Sequence, residues 1–212
     1  MSRLQKKRAQ DIFHEYREIG YNLAGIGVED LAAGCQFLKG LDPSGEMLVS
    51  ANLYCNKRPA FSPFRIFNIR GVRVAVVGLS DGVMTPSLSK NKDIVIRDND
   101  PVLGRYMAKM AENADLVIGL SSMTPGLEMA FIRKFPKVAL LISSGRTYAT
   151  NLPTKLENCL IVSSHPRGES IGLITLYLKR GDKGYVIKGY KNRLYMLKGK
   201  TGKRGCGQSL RR

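Results

Sequence analysis

The chain has 212 residues, 43% of them hydrophobic and 24% charged, with a formal net charge of +17. That apolar share supplies one domain with a substantial core and excludes general disorder. No apolar run approaches the ~20 residues that span a bilayer, which excludes a transmembrane helix.

Met1 to Gln10 carries Arg3, Lys6, Lys7 and Arg8 with no apolar stretch behind them. It does not read as a signal peptide, so the chain as written is expected in the cytoplasm. Leu4 to Ile19 then predicts an amphipathic helix, with Ile12, Phe13, Tyr16 and Ile19 at helical spacing and Gly20 as its stop. A strand is expected over 22–27. Asp30 is placed to cap a second helix with Leu31, Cys35, Phe37 and Leu38 inside and Gly40 at its end. Asp42-Pro-Ser-Gly45 is a turn, Met47 to Leu53 a strand, and Lys57 to Ala60 a loop.

Phe64 to Ile69 alternates as a half-exposed strand does, and Gly71 turns it into Val72 to Leu79, apolar on both faces in its second half. Ser80 to Asn99 is polar and predicts a mobile loop. Pro101 opens a helix to Ala114, followed by a strand from Asp115 to Leu120, a helix from Leu127 to Phe135 and a strand from Lys137 to Ile142. After a loop through Pro153, strands at Cys159 to Val162 and Ile171 to Leu178 follow with no helix between them. Gly184 to Lys188 and Arg193 to Leu197 predict a terminal hairpin. The domain is expected over 1–197, and 198–212 as a basic disordered tail. Residues 188–212 hold nine Lys and Arg and no acid, so the two chain ends account for 13 of the 17 net charges. Such ends attract anionic partners non-specifically, nucleic acid among them, and Tyr185, Tyr190 and Tyr195 are interleaved with the basic residues.

Little in the chain carries obvious catalytic chemistry. Cys35, Cys55, Cys159 and Cys206 have no metal-binding or redox spacing and read as small hydrophobes plus one tail thiol, with disulfides only in an exported form. His14 and His165 are the only histidines; the first reads as a solvated helix residue, the second as a loop residue before Pro166. Ser121-Ser122 and Ser143-Ser144-Gly145 offer hydroxyls and backbone N–H groups to an anion, with Arg146 as charge partner; they also read as polar caps on strand-to-helix turns. No Ser-His-Asp or Cys-His arrangement can be assembled.

The alternation of strand and helix followed by consecutive strands predicts an α/β sandwich. Three strand-like runs, ending near Gly27, Leu120 and Ile142, empty into short Gly- or Ser-containing turns. With Ser50-Ala-Asn-Leu53, Gly71 to Leu79 and Arg167 to Gly172, they resemble the 5'-nucleotidase branch of the calcineurin-like metallophosphoesterases. The resemblance implies an α/β/β/α sandwich, incomplete at its N-terminus, because the family's first strand with its D-x-H ligands and the next with a bridging Asp would lie before Met1. It also implies where metal ligands would sit, and there the chain departs from the pattern. The family's G-N-H-[ED], L-S-H and G-G-H-x-H turns read Gly27-Val28-Glu29-Asp30, Leu120-Ser121-Ser122 and Ser144-Gly145-Arg146-Thr147-Tyr148. Val28 has no donor atom, a Ser122 hydroxyl replaces an imidazole poorly, and the guanidinium of Arg146 cannot ligate a cation.

Gly27-Val-Glu-Asp-Leu31 is similar to a divergent, bacterial and exported group of that superfamily. The expectation is a non-catalytic binding or scaffolding module without a cofactor, whose remnant pocket is marked by Glu29, Asp30, Ser122, Arg146 and His165. Its partner would be a protein or a phosphate-containing small molecule. The alternatives are a Mn- or Zn-dependent phosphoric ester hydrolase completed by an upstream segment, exported if that segment carries a signal, and a basic nucleic-acid-binding protein.

Overall fold

The computed structural model describes residues 1–82, 93–97, 101–144, 152–181 and 184–197. In chain order the elements are α1 (Arg3–Glu18), β1 (Ala24–Gly25), a 3₁₀ turn (Glu29–Ala33), α2 (Cys35–Leu41), β2 (Leu48–Val49), β3 (Leu53–Cys55) and β4 (Arg58–Pro59). They continue with β5 (Phe64–Ile69), β6 (Val72–Leu79), β7 (Ile94–Ile96), α3 (Pro101–Asn113), β8 (Leu116–Ser121), α4 (Pro125–Lys134) and β9 (Val138–Ser143). Last come β10 (Thr154–Leu156), β11 (Cys159–Ser163), a 3₁₀ turn (Pro166–Gly168), β12 (Ser170–Gly181) and β13 (Gly184–Met196).

The centre is a six-stranded sheet in the order β10-β11-β9-β8-β6-β5. Its four inner strands are parallel, and its two edges are antiparallel. The inner strands are apolar because both faces are covered, as parallel sheets require. One face packs on α3 and α4 through Val77, Leu79, Met107, Met110, Val117, Ile132 and Leu141. The other packs on the ribbon of β12 and β13, where Leu140, Leu160 and Val162 meet Ile174, Leu176 and Ile187. A second core joins Phe13 of α1 and Leu38 of α2 to Ile26, Leu48 and Leu53. The chain is thus a mixed α/β sandwich about a central sheet, with α3 and α4 on one face and the ribbon on the other, while α1 and α2 pack on the short strands β1, β2 and β3.

The register sets the working end of the sheet. Leu79, Ser121, Ser143 and Ser163 stand in one row across β6, β8, β9 and β11. The four parallel strands therefore finish level, and the turns that follow them converge. β1 and β2 lie over this end: Gly78 has the carbonyl of Val49 so close that any Cβ would collide with backbone. The buried carboxylate of Asp42 fixes the start of β2 by accepting from the N–H groups of Met47 and Leu48 at 3.0 and 2.8 Å. It also accepts from Arg17 of α1 at 3.3 Å, so one side chain ties helix, turn and strand together.

Several expectations need correction. The helix expected from Asp30 is a 3₁₀ turn and a short helix split at Gly34, whose φ of 83° breaks the run. Asp30 caps neither: its Oδ2 accepts backward from Gly27 N at 2.8 Å. The strand expected over Met47 to Leu53 is two short strands, and the expected loop at Lys57 to Ala60 holds β4, reached through Asn56 and Lys57 at φ 51° and 64°. β7 lies inside the stretch expected as a mobile loop and pairs with β3, while 83–92 and 98–100 lie outside the described residues. β10 was hidden by its three-residue length. β13 is one continuous strand paired along β12, not half of a hairpin with itself. Cys35 and Cys55 are not separate small hydrophobes: their Cα atoms are 6.5 Å apart and they form a disulfide. The expected tail, 198–212, lies outside the described residues.

Candidate functional site

The carboxyl ends of β1, β6 and β8 are joined by a buried network of small polar groups. Ser80 donates its hydroxyl to the carbonyl of Ile26 at 2.8 Å and lies 2.8 Å from the hydroxyl of Ser50. Asn52 uses both ends of its amide on Ser80, donating to its carbonyl at 2.8 Å and accepting from its N–H at 2.9 Å. Ser122 donates to the same Ile26 carbonyl at 3.2 Å and accepts from Asp81 N at 3.3 Å. Ser144 donates to the carbonyl of Ser121 at 3.1 Å. Buried polar groups must be paired, and here each one's partner is another strand end. Nothing in the local sequence signals this network, because each Ser reads equally well as an ordinary cap.

Above the network lies a groove of about 590 Å³, lined by α1, β1, α2 and the ends of β8 and β9. Its walls are mainly apolar: Ile12, Phe13, Tyr16, Leu23, Leu120 and Ile142. Ile142 is 39% exposed although it sits in an inner strand of the sheet. The periodicity of α1 foretold an apolar face, but Ile12 and Tyr16 remain exposed because that face overlooks the groove instead of filling a core.

Of the five residues marked by sequence, Glu29, Asp30 and Ser122 come together on the groove. Neighbouring protein pushes the Asp30 carboxyl up, the Gly27 N–H opposes this, and the charge of Glu29 adds to the rise. Asp30 is nonetheless exposed at the rim, where solvent mutes such effects. His165 does not line the groove: it precedes the 3₁₀ turn after β11, with its Nδ1 2.9 Å from the Ser170 hydroxyl. Arg146 lies outside the described residues. His14 is exposed on α1, as expected.

Behind the same strand ends, on the α3/α4 side, Glu128 of α4 is only 2% exposed. The hydroxyls of Ser121 and Ser143 bond its carboxyl, while its Oε1 has no partner among the described residues. Burial pushes this carboxyl up, and those two hydroxyls pull it part of the way back. Ser121 and Ser143 are thus committed to Glu128, not to an anion in the groove. Burial likewise pushes the Cys159 thiol up to about 12, with Glu128 adding to the effect.

No family model matches this sequence, and no curated protein matches it. Solved structures do match. The sulfate thiohydrolase SoxB of Thermus thermophilus superposes with a TM-score of 0.75 at 20% identity over 89% of this chain. A 5'-nucleotidase precursor from the same organism gives 0.72 at 18% over 91%, and the calcineurin-like phosphoesterase YfkN of Bacillus subtilis 0.69 at 18% over 87%. The fold is that of the calcineurin-like phosphoesterases. Within it the present chain spans 35%, 42% and 66% of those three chains.

The donor set among the described residues does not fit the two metal ions implied by the family resemblance. Among the described residues, no three of His, Cys, Asp and Glu come together in a way that would hold an ion. Glu29 and Asp30 supply carboxylates, but Val28 between β1 and them offers no donor side chain. The Ser122 hydroxyl is engaged with Ile26 and Asp81.

Proposed function

We propose that this chain is a 5'-nucleotidase-like domain that does not catalyse and acts as a binding module, with the groove over the strand ends as its binding site. One observation carries the reading: the polar groups at the strand ends bond one another, and the space above them is walled by apolar side chains. Glu29 and Asp30 at the rim repel a phosphate group and favour a cation. Between the two ligand classes expected from sequence, this favours a protein segment, extended and apolar with a basic residue near its end. Selection from a random peptide library should enrich that pattern, and Ile142→Lys, which puts a charge in the groove floor, should abolish binding. Enrichment of phosphorylated or acidic ligands would overturn the reading.

A second reading, a metal-dependent phosphoric ester hydrolase completed by a further segment, has one observation in its favour. Among the described residues, β1 has a strand neighbour on one side only, β2, and its residues line the groove. Further strands carrying ligands would find room there. The disulfide between Cys35 and Cys55 persists only in an oxidising compartment, which supports export under either reading.

A further inference from the structure

A second cleft opens at the opposite end of the sheet, beneath the amino ends of β8, β9 and β11. It measures about 500 Å³, within the range of small-ligand sites. Lys137, Lys155 and Lys188 line it together with Asn158, Tyr185 and Tyr190. Among the described residues, no carboxylate lies within ion-pairing distance of any of the three lysines. The one acid in the lining, Asp115, is spent on Arg73, whose Nη2 and Nε approach it at 3.0 and 3.2 Å. That pairing holds the Asp115 carboxyl below its ordinary value and leaves it matched to Arg73; of the three lysines, Lys137 donates to the Ala111 carbonyl at 3.3 Å.

The ribbon continues the same chemistry. Its described residues contain no Asp or Glu, and Lys191 and Arg193 stand exposed further along β13, on the ribbon's outer face. The Lys191 ammonium lies 5.8 Å from the ring of Tyr177 across the ribbon, so aromatic and cationic groups are already neighbours. Lysines in a concave site recognise phosphate, and tyrosine rings offer a face to a base.

We propose that this cleft binds one nucleotide unit of single-stranded nucleic acid, its phosphate among Lys137, Lys155 and Lys188 and its base against Tyr185 or Tyr190. The site is independent of the groove at the other end of the sheet and of the basic tail.

The test is fluorescence anisotropy with a labelled oligouridylate on the full chain. Lys198, Lys200, Lys203, Arg204, Arg211 and Arg212 are first changed to Gln so that the tail cannot mask the cleft. Oligonucleotide binding should survive that change and weaken as salt rises from about 50 to about 200 mM. Adding Lys137→Gln, Lys155→Gln and Lys188→Gln should lower affinity by about tenfold or more at the lower salt and flatten the salt slope by about 2. Tyr185→Leu with Tyr190→Leu should cost roughly five- to tenfold with the slope unchanged. Inorganic polyphosphate should bind more weakly than the oligonucleotide and be insensitive to the tyrosine changes. Binding that vanishes with the tail charges, ignores the lysine changes, or is matched by polyphosphate or by anionic vesicles would overturn the proposal.

Discussion

The hydroxyl of Ser122 lies 3.2 Å from the carbonyl of Ile26, joining the turn after β8 to the end of β1 across 96 residues of sequence. The same oxygen accepts from Asp81 N at 3.3 Å, so a single hydroxyl links the ends of three strands. At the position where the family resemblance implies a metal-binding imidazole, the chain has a group whose bonds are already internal. Ser122→Ala should lower the unfolding free energy by about 1 kcal/mol, read by chemical denaturation, without changing the fold. A loss near zero would mean that the hydroxyl is not holding the ends together.

Glu128 gives the protein a pH dependence with a definite sign. Its ordinary value is 4.5, and burial raises it in the folded chain. Below 4.5 the carboxyl is protonated folded and unfolded, and contributes nothing. As pH rises above that value the unfolded chain ionises first, so stability falls until the folded carboxyl ionises as well. Glu128→Gln keeps acceptor and shape without the charge. It should melt higher than the parent at pH 7, the difference closing below about pH 4. A parent that melts higher at neutral pH would contradict this account.

Gly78 is required by a neighbour, not by its own torsions. A methyl group there meets the Val49 carbonyl. Gly78→Ala should push β2 from β6 and cost about 1–3 kcal/mol, measured by denaturant melts. Gly104 of α3, which has open space around its Cβ direction, is the control: Gly104→Ala should be neutral or stabilising.

The three described cysteines divide into two classes that alkylation can separate. Cys35 and Cys55, bonded at a sequence separation of 20, should resist alkylation until reduced. Cys159, buried and raised to about 12, should react only after unfolding. Reduction should lower stability by about 3 kcal/mol, the loop-closure value for a ring of this order. Labelling of Cys35 in the unreduced native protein would exclude the bond.

The large elements were legible because their patterns are local. Phe64 to Ile69 alternates, Val72 to Leu79 is apolar on both faces in its second half, and the Arg70-Gly71 turn between them has φ of 53° and 83°, a conformation that Gly announces. What sequence missed depends on contacts between distant segments. β7 and β10 are three residues each and exist through their partners β3 and β11. Cys35 and Cys55 meet only because α2 packs on β3. At the site, Glu29, Asp30 and Ser122 were placed together by the family pattern, whereas Ser50, Asn52 and Ser80 carry no signal until β2 lies over β6. The apolar stripe of α1 was visible, but not that it would wall a groove.

The strand ends are bonded to one another, and the proposed binding module holds no metal there. Metal analysis of the purified chain after Mn²⁺ loading, paired with assays of hydrolysis on a nucleotide and a generic phosphodiester, tests it most directly. Substoichiometric metal and no turnover above the protein-free rate are expected. A tightly bound stoichiometric metal with Mn²⁺-dependent turnover would contradict it.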